Sequence, residues 1–216
     1  YELKALSDEK SRELFERVVG KEQANCSDFV EMEKNIMKKC ANVPLAIIVM
    51  GSLLGEEPVD KWQAIQQSRF TEIKNDREEG IIPILKFSYN HLRPSLKSCF
   101  AYCALFPKDF RIEKKKVISL WMAHEYVAPL DGQSLEEAAE EHFQILVRRC
   151  FFQVERSSTG EIEAFKIHDL MHDMGQQASG KEIFIADSGT MELDYKTRHL
   201  YDRATYDRTE GFITAT

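Results

Sequence analysis

Much is missing from this sequence, and each absence narrows what the chain can be. No apolar run approaches the roughly 20 residues that a membrane-spanning helix needs. The longest, Val43 to Leu54, is interrupted by Pro44, Gly51 and Ser52. No basic-then-apolar leader opens the chain, so no secretory signal is visible. Basic excess is also lacking: 29 Lys+Arg stand against 36 Asp+Glu, for a net charge of -7. A domain devoted to neutralising phosphate backbones carries the opposite balance. Cysteine is sparse and odd in number, at five (Cys26, Cys40, Cys99, Cys103, Cys150), which excludes a disulfide scaffold and suits small buried hydrophobes in a reducing, cytosolic compartment. Neither a GxxxxGK[ST] phosphate loop nor a GxGxxG turn occurs, and no nucleophile elbow or catalytic triad stands out. The parts for nucleotide hydrolysis are absent from this stretch, and no catalytic residue is assigned.

What is present is an ordinary globular composition of 216 residues, 43% hydrophobic and 30% charged. That length holds one large domain or two small ones. The start at Tyr1, without Met, reads as an excerpt from something longer. Residues 1–80 carry a series of short helical patterns. Ser7 is a candidate N-cap with Asp8 and Glu9 in the first turn, Leu14, Phe15, Val18 and Val19 form an apolar face, and Gly20 is a stop signal. A second pattern starts near Ser27 or Asp28 and carries Phe29, Met32, Ile36 and Cys40, and Asn42 suits the left-handed conformation that ends it. Pro44 then opens a third helix, apolar nearly all round and therefore the expected centre of a bundle. A fourth follows Pro58, with Trp62 and Ile65 facing inward. Thr71 to Gly80 is polar and reads as a boundary.

Residues 81–180 predict helices over Ile84–His91, Pro94–Leu105 and Glu113–Tyr126. Ser134 and Glu137 form a capping box that opens another, through Ala138, Phe143 and Leu146. The period then changes to two over Phe152–Glu155 and Ile162–Ile167, around a polar loop, which predicts a hairpin. Three helices and a two-stranded wing make a winged helix. Asp169 is a candidate cap for a short helix through Leu170, Met174 and Ala178. Residues 181–216 hold two candidate strands, Lys181–Ala186 and Arg198–Tyr201, and no repeat develops. The expected architecture is mainly α: a short helical bundle followed by a winged-helix domain with a β-hairpin wing.

The densest polar cluster is Ile167-His168-Asp169-Leu170-Met171-His172-Asp173. The spacing of His168 and His172 matches a helical zinc pair, but the first His is followed by Asp rather than Glu and no third ligand is identifiable. No metal site is assigned. His168 also sits where a wing strand meets a helix N-terminus, a place that favours an anion such as phosphate. The winged helix raises a rival reading, a DNA-binding regulator. Against it, the first half of the would-be recognition helix carries Glu136, Glu137, Glu140 and Glu141, which repel phosphates.

Three motifs in order resemble one known family across nearly the whole chain. Lys39-Cys40-Ala41-Asn42-Val43-Pro44-Leu45-Ala46 is similar to the GxPLA motif of the NB-ARC module in plant disease-resistance proteins. Ser98-Cys99-Phe100-Ala101-Tyr102-Cys103-Ala104-Leu105-Phe106-Pro107 is similar to the CFAYCALFP motif of their coiled-coil, non-TIR class, and Leu120-Trp121-Met122-Ala123 fits the stretch after it. Ile167-His168-Asp169-Leu170 resembles the MHD motif. A literal Met-His-Asp occurs at 171–173, but the family pattern MHDLVHDLA places its functional triplet on Ile167, His168 and Asp169. Asn42 stands where the pattern has Gly, and Ile167 where it has Met.

The resemblance implies a first ARC subdomain in 1–80, a second, winged-helix subdomain in 81–180, and in 181–216 a linker with the start of leucine-rich repeats, where Thr197-Arg198-His199-Leu200 is like a family lead-in. It implies the regulatory part of an ADP/ATP-dependent switch in plant innate immunity. Pro44 and Leu45 would pack on the nucleotide near its base, His168 would contact the ADP β-phosphate, and Asp169 would regulate the switch. The P-loop domain that grips the nucleotide, with Mg when ATP is bound, would lie upstream, and the whole protein would be a slow ATPase. Implied partners are that P-loop domain, the leucine-rich repeats and further copies when activated, with no direct contact to DNA and no membrane segment.

Overall fold

The structure is a computed structural model that describes residues 5–20, 29–58, 61–62, 64–65, 70, 81–179, 183–186, 199–202 and 213–214. The expected helix start at Ser27 or Asp28, the boundary at 71–80, Cys26 and the lead-in at 197–198 lie outside these residues. The chain folds as two compact units, Tyr1–Leu92 with Arg148–Cys150, and Arg93–Val147 with Phe151–Thr216. The first unit therefore runs past the expected boundary at 80 and takes in one more helix.

In the first unit, α1 spans Asp8–Val19, α2 Phe29–Cys40, α3 Pro44–Gly55 and α4 Ile82–Asn90. The α1 signals act as read: Ser7 Oγ accepts the Lys10 N–H at 3.3 Å, and Gly20 ends the helix at φ 102. Helix α3 is the buried centre, with Ala46, Ile47, Val49, Met50, Leu53 and Leu54 all inside. Its Gly51 lets α1 approach, since a Cβ there would meet Val18 Cγ1 at 2.9 Å. Phe15 stacks on Phe29 and Phe29 meets Trp62 at a tilt, with centroids 5.9 Å apart in each pair, and the Trp62 indole donates to the Leu54 carbonyl at 3.0 Å. Helix α4 buries Ile84, Leu85 and Phe87 and packs on α3, which is why the unit extends to Leu92. Arg149 is buried in this unit. Its guanidinium donates to the Ser88 carbonyl at 3.2 Å and lies 3.6 Å from Glu56. Burial pushes its pKa down, and Glu56 opposes that shift.

The second unit has the winged-helix order. Helix α5 (Pro94–Cys103) leads to strand β1 (Ile112–Glu113), then α6 (Lys114–Ala123), α7 (Leu135–Arg148), β2 (Gln153–Arg156) and β3 (Ile162–Lys166). The strands form an antiparallel sheet in the order β1-β3-β2, with Phe165 opposite both Ile112 and Val154. The capping box is reciprocal: Glu137 N–H donates to Ser134 Oγ at 3.1 Å and Ser134 N–H to Glu137 Oε2 at 2.8 Å. Gly160, at φ 88, closes the wing turn. Trp121, Phe143, Phe152 and Phe165 fill the core, the closest pair being Phe152 and Phe165 at 4.1 Å. Helix α8 (Asp169–Ser179) follows, and then a second sheet of β4 (Ile183–Ala186), β5 (His199–Asp202) and β6 (Ile213–Thr214). Strand β4 pairs parallel with β5, and β5 antiparallel with β6. No helix among the described residues is long and apolar enough to cross a membrane.

Candidate functional site

The two places singled out in the sequence belong to different units. The first is the start of α3. Helix α2 ends on two left-handed residues, Ala41 at φ 49 and Asn42 at φ 60, which explains why a Gly or Asn belongs just before Val43. Val43 is extended and offers no side-chain cap, and Pro44 takes the first helical position, where a missing N–H costs nothing. Pro44 is exposed and Leu45 half-buried, so one turn of an otherwise buried helix presents a rigid apolar edge. Asp8, Ala41 and Asn42 line a nearby cavity of about 460 Å³ whose wall includes Glu33. Burial pushes that carboxyl up, opposed by Arg12 with its Nε 3.3 Å away.

The second place is the start of α8, and here the structure corrects the expected cap. His168, not Asp169, is the capping residue. Its carbonyl accepts the His172 N–H at 2.9 Å, and its ring Nδ1 accepts the Leu170 N–H at 3.2 Å. Asp169 is the first helical residue, exposed, where a carboxylate suits the helix dipole. The cap fixes the chemistry of the ring. With Nδ1 accepting, the neutral imidazole carries its proton on Nε2. Nε2 has no partner among the described residues, and the side chain is half-buried. This nitrogen is a donor at a helix N-terminus, which suits an anion, so the residues fit a phosphate group.

His172 differs in every respect. It is 3% exposed, and its Nε2 donates to the Phe106 carbonyl at 2.7 Å. Its neighbours are committed too: Met171 is fully buried, and Asp173 pairs with Lys108 at 2.6 Å. The literal Met-His-Asp triplet is therefore a packing element.

The stretch 98–107 is the bed on which α8 lies. Cys99, Phe100, Tyr102, Cys103, Ala104, Leu105 and Phe106 are all buried. Gly175 of α8 comes so close that a Cβ would stand 3.0 Å from both Ala104 and Phe100, and the Gln176 amide reaches the Ala104 carbonyl at 3.4 Å. Sequence reasoning missed the Phe106 carbonyl, Gly175 and Lys108 as supports of this helix. Only the glycine carried a legible signal, as a small residue on an apolar helix face.

The face that a DNA reader would present is acidic here. A groove of about 820 Å³ runs among α6, the start of α7 and the wing, lined by Glu113, Glu136, Glu140, Glu161 and Glu163. Two of its three basic lining residues are paired within the same unit, Lys114 with Glu140 at 2.6 Å and Arg111 with Glu155 at 2.8 Å, and Lys115 is exposed.

Comparison with known proteins agrees with the winged-helix order of the second unit. The profile of the family described as Disease resistance protein Winged helix domain matches residues 105–175. Disease resistance protein RGA2 of Solanum bulbocastanum is 36% identical over 203 residues, covering 93% of this chain and 20% of the relative. Putative disease resistance RPP13-like protein 1 of Arabidopsis thaliana is 32% identical, covering 95% and 19%. Disease resistance protein RPM1 of the same plant is 30% identical, covering 93% and 23%. The chain belongs to the plant disease-resistance proteins. It spans about a fifth of the length of the curated relatives it matches. The disease-resistance winged-helix match contains His168, Asp169 and His172, while Pro44 and Leu45 fall outside it but inside the span aligned with the relatives.

Proposed function

We propose that this chain is the regulatory part of an ADP/ATP-dependent switch acting in plant defence, in the cytoplasm. The names of its relatives supply the defence role. The ring of His168 is the observation that carries the nucleotide role. It spends Nδ1 on its own helix and leaves Nε2–H as a donor without a partner among the described residues at a helix N-terminus. Bound nucleotide supplies the phosphate oxygens that this donor answers, and Pro44 and Leu45 offer an apolar edge for its base. His168 then favours the diphosphate-bound resting state. Asp169, beside it, tunes the start of the same helix. Exchange of ADP for ATP biases the winged helix away from that state, a population shift worth no more than the differential contacts involved.

In this reading the chain is not itself catalytic. A P-loop region elsewhere in the longer protein grips the phosphates, binds Mg with ATP and hydrolyses it slowly. The P-loop region and leucine-rich repeats are the intramolecular partners, and self-association accompanies activation.

The test uses the full-length protein, purified with its nucleotide, and separates the two jobs of His168. Asparagine is a strong N-cap, so His168→Asn keeps the cap and removes the imidazole donor, whereas His168→Ala removes both. Both variants are expected to lose most of the ADP released on denaturation, and His168→Ala is expected to lower the melting temperature further than His168→Asn, which loses only the stabilisation that bound ADP supplies. His172→Ala is expected to cost stability, about 1–3 kcal/mol for a buried carbonyl left unpaired, with ADP content retained in the folded fraction. Full ADP content in His168→Asn sinks the reading.

A further inference from the structure

Where the family pattern has Gly, this chain has Asn42, and the side chain is in use. Its Nδ2 donates to Asp8 Oδ1 at 2.7 Å, and its backbone carbonyl accepts the Leu6 N–H at 3.0 Å. One residue is thus tied twice to the start of α1.

These ties matter because, among the described residues, no side chain caps the first turn of α3. Val43 makes no side-chain cap bond, and Pro44 has no N–H to donate. The Val43 N–H is spent on the Cys40 carbonyl at 2.9 Å, closing the left-handed turn behind it. Glycine would satisfy the positive φ of 60 but would leave the turn with its backbone tie alone. Asparagine satisfies it at little cost and adds a donor. Asp8 is a well-placed acceptor, held in the first turn of α1, where the dipole favours a carboxylate.

We infer that Asn42 is a positioning residue: its paired bonds to Asp8 and Leu6 fix the first turn of α3, and thereby the Pro44–Leu45 edge, and slow the release of nucleotide held there. The nucleotide half of this inference rests on the function proposed above; the positioning half does not.

Two measurements test it on Asn42→Gly, Asp8→Ala, Asp8→Asn and the Asn42→Gly/Asp8→Ala pair. The first is amide hydrogen exchange of Leu6 and Val43 in this chain. Asn42→Gly and Asp8→Ala are each expected to speed exchange about threefold to tenfold, the range that one net hydrogen bond supports. Asp8→Asn, which keeps an acceptor oxygen, is expected to change it less than twofold, and the pair no more than either single variant. Multiplied effects in the pair, or no effect of Asp8→Ala, overturn the positioning half. The second is ADP dissociation from the full-length protein, where the same ranking is expected at several-fold. Accelerated amide exchange with unchanged ADP release overturns the nucleotide half alone. A wild-type protein that carries no nucleotide overturns the proposed function instead, while amide exchange still decides the positioning half.

Discussion

Single residues in this chain carry two kinds of work that a motif alone does not separate. Within seven residues there are two His-Asp pairs, and their surroundings assign them opposite roles. His168 caps the helix through Nδ1 and leaves Nε2 without a partner among the described residues, whereas His172 is buried with Nε2 bonded to the Phe106 carbonyl. The same logic predicts the behaviour of Asp169. It is exposed at the first helical position, so its loss costs the fold only the helix-dipole share, about 0.3–1 kcal/mol. Asp169→Val is therefore expected to leave the melting temperature of this chain within a few degrees of wild type. In the full-length protein it is expected to lower ADP occupancy and give defence signalling without a pathogen. Unchanged ADP occupancy together with no autoactivity would count against a switching role for Asp169. One residue resisted reading altogether. Arg149 is 4% exposed and bonded to Ser88, 61 residues away. No local pattern marks such a partner.

At the scale of elements, how much was legible depended on whether the signal was local. The capping box at Ser134 and Glu137, the switch to period two after Cys150 and the apolar run of α3 all depend on residues within a turn or two. Each appears where the sequence puts it. Strand β1 was not legible, because two residues cannot show a period; Ile112 and Glu113 become a strand only by pairing with Phe165 and Ala164. The membership of α4 in the first unit likewise depends on packing against α3, not on its own sequence. Close packing also reverses an ordinary propensity rule at Gly175. In a free helix, Gly→Ala gains about 1 kcal/mol. Here the added methyl would stand 3.0 Å from Ala104 and Phe100, both fully buried. Overpacking costs about 1–3 kcal/mol, so Gly175→Ala is expected to be net destabilising by roughly 1 kcal/mol in denaturant unfolding. A gain in stability would mean that α8 can shift away from the 98–107 bed without penalty.

For the molecule as a whole, the absence of a disulfide framework has a thermodynamic counterpart. Cys40, Cys99 and Cys103 are free and buried, in the cores of the two units. Burial pushes the Cys40 thiol up to about 12, and pushes the Cys99 and Cys103 thiols above the ordinary range as well. The native state therefore holds these protons more tightly than the unfolded chain, whose thiols titrate near about 8.5. The sign follows: the stabilisation is fully present below about pH 8.5 and is lost as pH rises toward the native values. Each thiol contributes about 1.4 kcal/mol per pH unit within that window. Urea unfolding of the chain between pH 7 and pH 10.5 is expected to show a flat region followed by a steep fall. Cys99→Ala is expected to shallow that fall by about one thiol's share, and all three thiols should resist a thiol reagent at pH 8 until the fold opens. A slope unchanged by Cys99→Ala would assign the alkaline loss to other groups, and rapid native labelling at Cys99 or Cys103 would show that α5 opens locally. Either result would change the reading of 98–107, because a bed for α8 must stay closed.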